Sequence, residues 1–308
     1  MIRNLVLFAC AAFFIFVIIS GCGGQKTTAL VNTLTFDTGD FDRIRLDYDA
    51  DDIYVLESNQ GNVILKEYMN ENKGSYYART SSRNGELLIT EGKRPRRHSF
   101  ESYIEIFIPK NNTKSLSLHS TSGTIRSEIV LIVPGDFGVD TTSGNVEVSN
   151  VKASVIKASS ANGSLSFKNI DTEKFDVQTA NAATLMNEIN GTINYQSKGG
   201  TLNADRLRGS GSFQASGEGS LDISYDDVTG DISAYSKNGT VTVILPDTLA
   251  FQFSALTKQG SINTSFTDQL ESTKYTASGS VGASPDITIA LETRNGDMKV
   301  SRRSDEKK

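Results

Sequence analysis

From residue 115 onward the chain repeats one phrase: a small polar turn, a glycine, one more residue, then an apolar residue. Thr121-Ser122-Gly123-Thr124-Ile125, Thr142-Ser143-Gly144-Asn145-Val146 and Ala161-Asn162-Gly163-Ser164-Leu165 are its first copies. It returns around Gly200, Gly219, Gly239, Gly260 and Gly296, and one copy, Asn181-Ala182-Ala183-Thr184-Leu185, lacks the glycine. The apolar residues after the turns are Ile125, Val146, Leu165, Leu185, Leu202, Leu221, Val241, Ile262 and Met298, spaced 17 to 21 residues apart except for a last step of 36. A second column, Leu116, Phe137, Ile156, Phe175, Ile193, Phe213, Ile232, Phe253 and Ile289, precedes the first by 8 to 10 residues throughout. Two columns locked at one period mark a repeat architecture.

The segments beside each turn alternate apolar and polar residues, as in Leu221-Asp222-Ile223-Ser224-Tyr225, which predicts strands. Asn-Gly between strands also suits hairpins. In a meander, however, equivalent positions never touch, whereas in a solenoid they stack about 4.8 Å apart, so recurring Phe and Ile in one column favour a single-stranded parallel β-solenoid with coils of about 20 residues. Phe213 and Phe253 are expected inside it. The turn glycines are expected to supply positive φ, so Gly239→Val should destabilise and Ser236→Ala should matter little. Thr267 to Ser284, polar and glycine-rich, reads as a loop inserted between the last two units. Residues 31–114 alternate less regularly and are expected to be irregular coils capping the open end, with 115–302 the regular repeats and 303–308 a charged tail.

The N-terminus carries a different pattern. Arg3 precedes an apolar run from Leu5 to Ile19, too short for a ~30 Å hydrocarbon core and ending in Ile19-Ser20-Gly21-Cys22. That string matches a bacterial lipobox. Residues 1–21 are then a lipoprotein signal peptide, Cys22 the lipidation site and 22–30 a tether, which places the protein outside the cytoplasmic membrane. Cys10 lies within the signal, so the mature chain has no disulfide.

The turns, the Ile106-Phe107-Ile108-Pro109 step into the repeats and the closing segment from Ile287 to Met298 resemble the bacterial "putative adhesin" family of β-strand-repeat domains. The resemblance covers about residues 30 to 302. It implies a right-handed β-solenoid on the cell envelope and brings no catalytic residues with it.

Composition narrows the chemistry. In 308 residues there are 2 His and no Trp, and the formal charge is −5, which argues against hydrolytic relays and against nucleic acid as a partner. No cofactor is implied. Asp47, Asp49 and Asp51 alternate like the start of a calcium loop, but Asp52 stands where such a loop needs Gly and Ser58 where it needs Glu, so solvated carboxylates are the stronger reading. Lys93, Arg94, Arg96 and Arg97 form the one dense basic run, candidate contacts for anionic lipid or wall polymer, although an ordinary solvated loop is the stronger reading. His98 and His119 stand apart in sequence, and Asp226 and Asp227 beside Tyr225 form a carboxylate pair that alternation sends to opposite faces. The expectation is a non-catalytic lipoprotein presenting a rigid surface for adhesion, envelope binding or stress sensing. The alternative is a carbohydrate-active enzyme on the same coil.

Overall fold

The structure, a computed structural model, describes residues 28–110 and 114–305. These form twenty-two strands and two short 3-10 helices, Thr38–Asp40 and Gly74–Tyr76. The fold is all-β, built on one long, mostly parallel sheet, consistent with a solenoid-like architecture. Among the described residues no helix is long and apolar enough to cross a membrane; the signal peptide and Cys22 lie outside them.

Both apolar columns appear as parallel ladders. One runs Ile53, Ile125, Val146, Leu165, Thr184, Leu202, Leu221 and Val241. The other runs Leu116, Phe137, Ile156, Phe175 and Ile193. Strands such as Val146–Ser160 and Leu165–Thr179 are long enough to pass through both. Burial alternates along them, so each rung sends every second side chain into a shared apolar interior.

Two ladder positions differ from the sequence reading. Thr184, not Leu185, pairs with Leu165, and Leu185 is 48% exposed. Ala182 holds the glycine place in that turn, which shifts the copy by one residue. Phe213 is buried as expected, yet it pairs with Tyr195 and Ala234, while Gly211 takes the place opposite Ile193 and Ile232. The space a side chain at 211 would need is filled by the Phe213 ring and the Tyr225 hydroxyl.

The turn glycines do a different job from the one expected. None of Gly123, Gly144, Gly163, Gly200, Gly219, Gly239, Gly260 and Gly296 has positive φ. Each instead lies against a main-chain carbonyl of the adjacent rung. A Cβ on Gly144 would overlap the Gly123 carbonyl oxygen, one on Gly163 that of Gly144, and one on Gly239 that of Gly219. Glycine is required by close approach. A buried hydroxyl three residues earlier fixes every one of these turns but that of Gly219: Ser120, Thr141, Ser160, Ser197, Ser236, Thr257 and Thr293 accept from the glycine N–H at 2.7–3.1 Å. Ser236 also donates to the Gly219 carbonyl of the next rung at 2.9 Å, so it is not the indifferent position the sequence suggested.

Chain order and stacking order part company at both ends. The strand Ile287–Thr293 lies between Leu221–Ser236 and Phe251–Thr257, and Met298–Arg302 between Val241–Leu245 and Ile262–Thr264. The 36-residue step is therefore not a loop between successive units. The chain goes to the outermost rung, turns through Leu270–Ser272 into Thr276–Val281, which covers that rung antiparallel and pairs on its other side with Leu270–Ser272, and returns to fill the layer beneath. At the other end Arg43–Tyr48 sits between Ser115–Ser120 and Glu86–Thr90, and Asp52–Glu57 between Ile125–Ser127 and Ser102–Ile108. Antiparallel strands Asn62–Met69, Ala29–Asp37 and Arg79–Arg83 finish this end.

Denaturant melts should show Phe213→Ala losing about 3–5 kcal/mol through cavity formation. Ser236→Ala should lose about 1–3 kcal/mol, since two backbone groups lose a buried partner. Gly163→Ala should be more damaging than an alanine at half-buried Ser166; equal melts for those two would contradict the carbonyl contact.

Candidate functional site

The acidic and basic stretches meet at the N-terminal cap. Asp49 to Asp51 form the turn below Gly123, the first in the stack, and the loop after Glu91 folds across it, leaving a cleft of about 600 Å³. Glu91 ties the two together by accepting from the Asp49 N–H at 2.8 Å, and burial pushes its carboxyl up.

Arg94 does not belong to an exposed basic patch. Its side chain is 3% exposed, paired with Asp51 and, at 2.5 Å, with Glu67, both of them buried. Its Nε donates to the Tyr76 carbonyl at 3.1 Å, and its guanidinium lies over the Tyr48 ring. Glu67 also accepts from Asn32 at 2.7 Å and from the Ala78 N–H; burial raises its pKa against those two bonds. Burial lowers that of Arg94 to about 10, which leaves it charged at neutral pH. One cation between two carboxylates thus joins the strand at Asn32, the first turn, the segment at Tyr76–Ala78 and the capping loop. Desolvation offsets much of the attraction, so the cluster is a positioning device more than a source of net stability.

The remaining cations of the run are surface groups. Arg96 reaches Asp49 at 2.8 Å, Arg97 pairs with Glu71, and Lys93 is exposed. Asp47 stands 3.7 Å from Arg45, so Asp47, Asp49 and Asp51 are each engaged by a different arginine rather than converging. Among the described residues no group of three or more His, Cys, Asp and Glu is arranged to hold a metal ion.

Two further groupings were not legible in the sequence. His119 is not isolated: its Nδ1 lies 2.7 Å from Asp140, which also accepts from Ser159 on the next rung. This order, with the carboxylate in the middle, keeps the imidazole away from the serine, so the three do not form a Ser–His–Asp relay. On the other ladder a corner recurs at Asn150, Asn169, Glu188 and Arg206, all with φ between 53° and 60°. Asparagine accepts that geometry readily; Glu188 and Arg206 hold it while paired with each other. Asp226 beside them is taken by Arg206, Arg208 and, at 2.7 Å, Arg303, so it is a charge acceptor and not a free acid or base. Tyr225 is buried, which pushes its hydroxyl pKa up, and Asp227 is exposed. Arg303 and Ser304, at the start of the expected tail, are bound to Asp226 and Asp247.

A mostly parallel stack closed by antiparallel caps and carrying polar clusters on its outside defines a β-rich, solenoid-like repeat domain. The chain belongs to the family described as Toastrack DUF4097, whose pattern matches residues 41–301. Solved structures similar to it include a "putative adhesin" from Bacteroides fragilis, 17% identical, covering 90% of this chain and 100% of that one with a TM-score of 0.47. Another is a "putative adhesin" from Parabacteroides distasonis, 12% identical, covering 88% and 96% with a TM-score of 0.47. A "putative lipid binding protein" from the same species is 16% identical, covering 87% and 96% with a TM-score of 0.43. No curated protein matches the chain.

Arg94→Ala would strand two buried carboxylates and should cost about 3–5 kcal/mol. Arg96→Ala, at a side chain 88% exposed, should cost about 0–1 kcal/mol. Thermal melts of the two variants compare them directly.

Proposed function

We propose that the protein is a non-catalytic lipoprotein of the cell envelope, acylated on Cys22 and held outside the cytoplasmic membrane, whose rod presents a fixed polar face to an envelope component. The rod is a right-handed solenoid with a coil of about 20 residues; the pairing steps of 18 to 20 residues from Val146 through Val241 support that length.

The observation that carries this reading is the outward face of the ladder through Phe175. Gln178, Gln196 and Gln214 are exposed and pair in register on successive rungs, followed by Tyr235, and beside them runs a row of Asp176, Asn194, Ser212 and Ser233. Their backbones are held by pairing on both sides, so amide and hydroxyl groups repeat every ~4.8 Å on a fixed main chain. Such a face suits an extended, repetitive ligand such as a wall polymer.

Cell fractionation and acyl labelling test the anchor: Cys22→Ser should abolish label and release the chain from membranes. Co-sedimentation with purified peptidoglycan tests the face. Combined Gln178→Ala, Gln196→Ala and Gln214→Ala should lower binding without moving the melting temperature. Full binding by that variant would exclude this face.

A further inference from the structure

The outer surface of the other ladder changes character at the anchored end. Along most of the stack its outward row reads Arg126, Glu147, Ser166, Leu185, Asn203 and Asp222, polar apart from Leu185. Over the last strands that row continues through Tyr54, Glu105, Lys66 and Thr33, flanked by the outward Tyr68, Tyr103, Phe107 and Leu30, with the Tyr68 hydroxyl donating to Glu105 at 2.8 Å. Tyr68 and Tyr103 stack at 4.5 Å, Tyr54 meets Tyr103 edge-on at 5.7 Å, and Lys66 caps the Phe107 ring at 4.5 Å. These rings are only half-buried, and Leu30 is 51% exposed. The interior of the rod does not use them.

The chain enters at this surface. Leu30 pairs with Tyr68, and the Thr28 side chain hydrogen-bonds Tyr103. Six Cα-to-Cα steps lead from Cys22 to Thr28, a reach of at most about 21 Å at ~3.5 Å per step. If Cys22 carries the anchor, the aromatic face is therefore kept within a short distance of the headgroups. Tyrosine, apolar in its ring and polar at its tip, suits that layer.

We propose that the Tyr54–Tyr68–Tyr103 face rests on the bilayer surface and orients the rod on its membrane. This inference rests on acylation of Cys22. Because the chain has no Trp, single indoles report on it cleanly. The full-length acylated chain is reconstituted in phosphatidylcholine–phosphatidylglycerol vesicles carrying Tyr68→Trp, with Tyr54→Trp as a second probe on the face and Tyr235→Trp on the far ladder. Indoles at 68 and 54 should shift to shorter wavelength on reconstitution and be quenched by brominated acyl chains, while the indole at 235 stays open to aqueous iodide. With acylation verified by mass, iodide quenching at 68 and 54 equal to that at 235 overturns the inference and leaves the anchor standing. Protection of both indoles by soluble peptidoglycan fragments and not by vesicles also overturns it, in favour of a glycan. A Cys22 without acyl mass overturns the anchor and this inference together.

Discussion

The contact on which the structure depends is the approach of each turn glycine to a carbonyl of the adjacent rung. Parallel strands fix the rung spacing at about 4.8 Å, and at every one of these turns except the one held by Ala182 the main chains approach so closely that a Cβ would overlap the next carbonyl. The buried hydroxyl three residues earlier then takes up the N–H that the turn would otherwise leave unpaired. Ladders of Ile, Val and Phe follow from this, because they keep their register only while the turns remain superimposed. Hydrophobic burial provides most of the driving force; the turns decide which residues meet.

Much of this was legible in the sequence because it repeats. Two apolar columns at a common period gave the strands, the inward residues and the parallel stacking. The hydroxyl was legible too, since Ser or Thr stands three residues before nearly every turn glycine, but its role shows only once it is seen buried. What failed did so for local reasons. Without a glycine to mark the turn, Ala182 and Ala183 could not be told apart, and Leu185 was drawn into a column that Thr184 occupies. At Gly211 the expected side chain is supplied by Phe213 and Tyr225, a substitution in space that leaves no periodic trace. Positive φ falls instead on Asn150, Asn169, Glu188 and Arg206, which no glycine signals, and on glycines outside the turn motif such as Gly191 and Gly209.

The charged cap shows why a run of like residues is weak evidence for a site. Lys93 to Arg97 reads as one basic patch, yet alternate fates await its members: Arg94 turns inward to two carboxylates while Arg96 and Arg97 pair at the surface. The acidic cluster at 47–51 is its counterpart. Neither stretch discloses the other as partner, because the loop that joins them is set by contacts forty residues apart in the chain.

The interleaved ends carry a consequence for how such a rod varies in length. Its last segment, Ile287 to Arg302, is an inner layer, and the strands from Arg43 to Glu57 are the same at the opposite end. Trimming the C-terminal segment would not shorten the stack by one rung; it would pull out the shelf on which an outer rung lies. Rungs can be gained or lost only in the central run, between about residues 131 and 230, where chain order and stacking order coincide. Both caps would pass through such a change intact, and reach could be adjusted without redesigning either end.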